Sequence, residues 1–185
     1  VFLCNSGAEA NECAIKLARK YSEEKYGQQR SNIVTLKNSF HGRTITTLAA
    51  TGQEVFHQYF FPFTQGFSYA EANNLDSVKS CVDEHTCALL IELVQGEGGV
   101  LPLEKGFVQQ LSLFCKERDI LLMVDEVQTG VSRTGSLYCF EQYDIRPDVF
   151  TSAKGLGGGV PIGACLCTEE LGNVLSQGQH GTCLL

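Results

Sequence analysis

Two hydrophobic periods alternate along this chain. Short runs rich in apolar and β-branched residues occur at 32–37, 66–69, 88–92, 120–125, 148–152 and 163–168, with a shorter run at 1–4. Ala88-Leu89-Leu90-Ile91 and Ile120-Leu121-Leu122-Met123-Val124 are continuous rather than alternating, the pattern of strands buried on both faces of a mainly parallel sheet. Between the runs the period lengthens. Ala10, Ala14, Leu17, Ala18 and Tyr21 recur on one helical face, and Phe107, Leu111 and Phe114 do so later. The alternation predicts an α/β domain: a mainly parallel, seven-stranded sheet with helices on both faces. No internal repeat, low-complexity tract or linker interrupts it.

Composition narrows the picture. A chain of 185 residues with 43% apolar and 19% charged content suits one globular domain and excludes a disordered or collagen-like chain. No apolar run reaches the ~18 residues of a membrane span, so no membrane partner is expected. The net charge of −7 comes without a basic cluster, which argues against nucleic acid as a partner. The nine cysteines are odd in number and form no C-x-x-C, so neither a disulfide framework nor a metal site is expected, and a reducing cytoplasm is the expected location. Val1-Phe2-Leu3-Cys4-Asn5 has no initiator Met and opens inside an apolar run, so the chain is expected to be part of a longer protein.

Three motifs carry candidate chemistry. Ser6-Gly7-Ala8-Glu9 precedes the first helix and reads either as a capping box or as an anion cradle of backbone N–H groups. Asp125 ends a buried strand and is followed by Glu126-Val127-Gln128-Thr129-Gly130. A carboxylate there sits where ligands bind in open α/β sheets and needs a cationic partner, which a protonated heterocycle or a metal ion would supply. Lys154 follows another strand and precedes Gly155-Leu156-Gly157-Gly158-Gly159. Its glycines follow the lysine, whereas a phosphate-binding P-loop has them before it. Such a lysine is either a surface residue at a loop start or an amine suited to Schiff-base chemistry. Phe40-His41-Gly42-Arg43 adds an aromatic face and a carboxylate-matching guanidinium, and Glu92 and Glu97 place two carboxylates beyond a buried strand.

Taken in order, these segments resemble the class III aminotransferases, pyridoxal-phosphate enzymes of fold type I. The matching segments are Asn5 to Glu12, Phe40 to Thr44, Leu48 to Gln53, Gln95 to Val100, Asp125 to Gly130, Arg133 to Gly135, Ser152 to Gly159 and His180 to Thr182. They cover nearly the whole chain and most resemble the branch acting on N-acetylornithine. The resemblance implies the cofactor-binding large domain over 1–185, with an N-terminal segment and a C-terminal small domain lying outside it. It implies transfer of an amino group from N-acetylornithine or a related ω-amine to 2-oxoglutarate, in arginine biosynthesis, by a homodimer. Ornithine, succinylornithine and 4-aminobutyrate are the alternative donors, and an inactive remnant is a rival of another class. The chain alone is expected to be inactive.

The resemblance also assigns roles. Lys154 carries the cofactor and shuttles protons, and Asp125 holds the pyridine nitrogen protonated. Gly7 and Ala8 bind the phosphate, Phe40 and Val127 flank the ring, and Gln128 bonds its hydroxyl. Arg43 and Glu97 contact substrate, and Thr182 contacts substrate or cofactor across the dimer. The chain departs from the family at Leu93, where Pro is usual, at Ser132, where Gly is usual, and at Cys183, where Thr is usual.

Overall fold

A computed structural model describes residues 1–181; Thr182 and Cys183 lie outside the described residues. The strands are β1 (Phe2–Cys4), β2 (Asn32–Leu36), β3 (Phe67–Ala70), β4 (Thr86–Ile91), β5 (Val94–Gln95), β6 (Leu101–Pro102), β7 (Leu121–Asp125), β8 (Val149–Ser152) and β9 (Gly163–Cys167). Helices are α1 (Gly7–Tyr26), α2 (Ile45–Ala50), α3 (Leu75–Cys81) and α4 (Lys105–Arg118). Seven strands form one sheet in the order β1-β9-β8-β7-β4-β2-β3, while β5 and β6 make a separate hairpin. Strands β3, β2, β4, β7 and β8 run parallel; β9 is antiparallel to both β8 and β1. The mainly parallel α/β sheet expected from the sequence is therefore present, with strand bounds shifted by a residue or two.

Side chains alternate between the two faces of each strand. Val34, Leu36, Leu89, Ile91, Leu122 and Val124 pack with Val78 of α3 and Phe107, Leu111 and Phe114 of α4. The intervening Ile33, Ala88, Leu90, Leu121 and Met123 pack with Cys13, Ala14, Ile15, Leu17 and Ala18 of α1. All of β4 and β7 is buried, which is why both read as continuous apolar runs.

The parallel strands aim their C-terminal ends at one edge of the sheet. Because β9 is reversed, β1 runs in the same sense as β8, and its C-terminal end reaches that edge too. The loops after β1, β2, β4, β7 and β8 therefore converge, the arrangement in which open α/β sheets bind ligands.

Candidate active site

At that edge lies a cavity of about 490 Å³. It gathers Gly7, Ala8, Phe40, Arg43, Glu97, Asp125, Val127, Gln128 and Lys154 from segments up to 147 positions apart (154 − 7). Every site residue expected from the sequence within 1–181 thus lines one cavity.

The first turn of α1 forms part of the wall. Ser6 is the N-cap, accepting from Glu9 N–H at 3.2 Å, while the Glu9 carboxylate accepts from Asn5 N–H at 2.6 Å. The capping-box expectation is corrected in one detail: the glutamate reaches back to Asn5, not to Ser6. Gly7 and Ala8 follow in the first turn, where backbone N–H groups have no intrahelical acceptor. A Cβ on Gly7 would stand 2.7 Å from Val127 Cγ1, so only glycine lets Val127 close this tightly on the helix start. Gly42, at φ +132°, brings the Phe40–Arg43 turn against Ala8; a Cβ there would meet Ala8 Cβ at 2.8 Å. The cap and the cradle readings of this motif are geometrically compatible.

Asp125 is 4% exposed and well supplied with donors. Its Oδ2 accepts from Asn11 Nδ2 at 2.8 Å and lies 2.9 Å from His41 Nδ1, while Oδ1 accepts from Val127 N–H at 3.0 Å. Asn11 is fixed in turn: its Nδ2 also donates to His41 C=O at 2.8 Å, and its Oδ1 accepts from Thr151 Oγ1 at 2.8 Å. The burial of Asp125 is thus compensated within the protein. His41 Nε2 is buried and has no hydrogen-bond partner among the described residues.

Glu92, 5% exposed, follows β4 and accepts from Phe40 N–H at 2.9 Å. Burial pushes its carboxyl up to about 7; the neighbouring Asp125 adds to the rise, against the pull of His41 and of the Phe40 and Gly96 N–H groups. Glu126 is also buried and raised by desolvation, but it serves the fold: it accepts from Phe140 N–H at 2.8 Å and from Thr129 Oγ1.

Arg43 places its guanidinium 4.7 Å from the Phe56 ring centroid and 5.6 Å from that of Phe40. Phe40 and Phe56 meet edge to face. Lys154 opens a 3₁₀ turn (Lys154–Gly157) directly after β8, with φ at +45°, a left-handed conformation that lysine rarely adopts. Such strain persists where the surroundings impose it, often at functional sites. The expectation for Thr182 lies outside the described residues.

Asn11, His41 and Thr151 carried no role in the sequence reading. A signal existed for Asn11, a polar residue on the buried face between Ala10 and Ala14. For His41 and Thr151 the sequence offers no comparable signal, because both act on groups brought from distant elements, Asp125 of β7 and Asn11 of α1.

The family model described as "Aminotransferase class-III" matches residues 1–185. The chain is 54% identical over 183 residues to an acetylornithine aminotransferase from Haemophilus ducreyi, covering 98% of this chain and 47% of that protein. It is 51% identical over 182 residues to a succinylornithine transaminase from Salmonella heidelberg, covering 98% and 45%. The crystal structure of the ornithine aminotransferase from Toxoplasma gondii ME49 superposes with a TM-score of 0.92 at 33% identity, covering 97% of this chain and 44% of that one. The chain spans about half the length of the relatives it matches.

Proposed function

The chain belongs to the class III aminotransferases, and from that premise we propose that the protein carrying it transfers an amino group from N-acetylornithine, or a related ω-amine, to 2-oxoglutarate with pyridoxal 5'-phosphate as cofactor. The observation that carries this reading is the single cavity joining Lys154, Asp125, Phe40 and the first turn of α1. The residues present fit a flat, phosphorylated heterocycle bearing a carbonyl. A buried carboxylate suits the ring nitrogen, an aromatic wall suits the ring face, and the first-turn backbone N–H groups at Gly7 and Ala8 suit a phosphate.

Pyridoxal phosphate, when bound, supplies the electron sink for amino transfer. The protein's residues supply the rest. Gly7 and Ala8 bind phosphate oxygens with N–H groups at a helix N-terminus, where the helix dipole favours negative charge. Asp125, oriented by Asn11 and His41, holds a proton on the ring nitrogen. Phe40 and Val127 would confine the ring, and Gln128 would bond its hydroxyl. Lys154 would hold the cofactor through its amine and, once displaced by the substrate's amine, would be free to move the proton at the reacting substrate carbon. Arg43 pairs with a substrate carboxylate, a role suited to a planar guanidinium already seated on aromatic rings. Glu97 gates the choice between two unlike substrates, and the protein acts as a homodimer. The setting is arginine biosynthesis in the cytoplasm.

Succinylornithine stands as a second donor because the relative of that name is nearly as similar, 51% against 54%. The test is glutamate formation by the full-length protein with N-acetylornithine, succinylornithine, ornithine and 4-aminobutyrate, each with 2-oxoglutarate. An acylated ornithine should give the highest kcat/KM. Preference for free ornithine or 4-aminobutyrate would overturn the donor assignment, and no glutamate from any donor would overturn the transaminase reading.

A further inference from the structure

Glu92 belongs to the cavity wall but has no part in the reading above. In the parallel pair β4–β7, Ile91 stands beside Val124. The next residues, Glu92 and Asp125, follow at the same sheet edge, and both line the cavity. Two buried carboxyl groups so placed do not share an environment equally. Asp125 has Asn11, His41 and Val127 N–H as hydrogen-bond partners. Among the described residues Glu92 is held only by backbone N–H groups, those of Phe40 and Gly96, and His41 lies near its carboxyl. Arg43, Glu97 and Lys154 complete the titratable lining of the cavity. When two like charges compete at close range, the less solvated and less well-bonded one takes the proton.

We propose that Glu92 is a positioning residue of the cofactor site: it anchors Phe40 through the backbone and, by holding a proton, spares Asp125 a second negative charge beside it. The inference rests on the proposed cofactor role of Asp125 and Phe40. Ordinary carboxyls are ionised at neutral pH, so a proton held here until about pH 7 is a distinctive feature of the site. Above that pH the added charge lies next to the group that faces the ring nitrogen, and cofactor affinity becomes sensitive to it.

The experiment uses the full-length protein freed of cofactor, as wild type, Glu92→Gln and Glu92→Ala. Infrared difference spectra should show a protonated-carboxyl band that titrates near neutrality in wild type and is missing from Glu92→Gln. Dissociation constants for pyridoxal phosphate, measured calorimetrically, should agree within about twofold between wild type and Glu92→Gln at pH 6. At pH 8.5 they should differ by at least about threefold, because only wild type ionises. Glu92→Ala, lacking any acceptor for Phe40 N–H, should bind more weakly at both pH values, and Glu92→Gln should rescue that loss at pH 6. Superimposable wild-type and Glu92→Gln affinities across the range, or a wild-type spectrum without the titrating band, overturn the inference. Wild-type protein that binds no pyridoxal phosphate would overturn the underlying cofactor reading instead, so the two failures are distinguishable.

Discussion

At the scale of single residues, burial of charge makes the sharpest demands. The Glu92 carboxyl, ordinarily near 4.5, is pushed up to about 7 by desolvation and by Asp125. The native state therefore binds more protons than the unfolded chain between those values, and stability falls as pH rises from about 4.5 through 7. The loss is on the order of 3 kcal/mol. Glu92→Gln in the cofactor-free protein should flatten this slope and leave it more stable than wild type at pH 8, as read by urea denaturation at several pH values. An unchanged slope would mean that the carboxyl is already ionised at low pH. Two further residues bear on chemistry. Lys154→Ala in the full-length protein should abolish the borohydride-trapped pyridoxal phosphate adduct, and mass spectrometry that finds the adduct on Lys16 or Lys37 would refute the assignment. Asp125→Asn keeps size and some hydrogen bonding but removes the charge. Turnover should fall by orders of magnitude, each factor of ten being ~1.4 kcal/mol of barrier, and near-normal turnover at saturating cofactor would exclude the ring-nitrogen role.

At the scale of elements, the cradle depends on how closely β9 approaches the start of α1. A Cβ on Gly163 would lie 2.3 Å from Ser6 C=O, which is backbone and cannot swing aside. Gly163→Ala should therefore displace the N-cap of α1 and destabilise the fold by about 1–3 kcal/mol, the usual range for overpacking. Cofactor affinity should drop with it, because the same shift moves Gly7 and Ala8. Thermal unfolding and pyridoxal phosphate titration of one preparation check both effects, and a stable variant with unaltered affinity would show that the contact relaxes elsewhere. Ser132 presents the opposite case. It has φ +63° and follows Val131 at +56°, so two L-residues in a row occupy left-handed backbone where the family usually has glycine at the second. The family preference at that position has a plain conformational cause.

For the molecule as a whole, several large apolar side chains face outward. Tyr59, Phe60 and Phe61 are 64–70% exposed and adjoin the segment carrying Phe56. The 185-residue chain produced alone should show no transamination and should self-associate, as measured by glutamate formation and by size-exclusion chromatography. A monodisperse preparation with measurable turnover would contradict this. How far the sequence reached follows from the range of the forces involved. Strand runs, the α1 stripe and the mainly parallel sheet were legible because each depends on periodicity within a dozen residues, and Asp125 and Lys154 stood out because their strand-end positions are local features. The remaining site roles were read by resemblance. The sequence could not show that Asn11, His41 and Thr151 would close around Asp125, that Glu9 would reach Asn5, or that Glu92 would stand beside Asp125. Apart from the local Glu9–Asn5 contact, these join segments far apart in the chain. Only the register of β4 on β7 and the packing of α1 on the sheet bring these distant residues together, where burial then changes their chemistry.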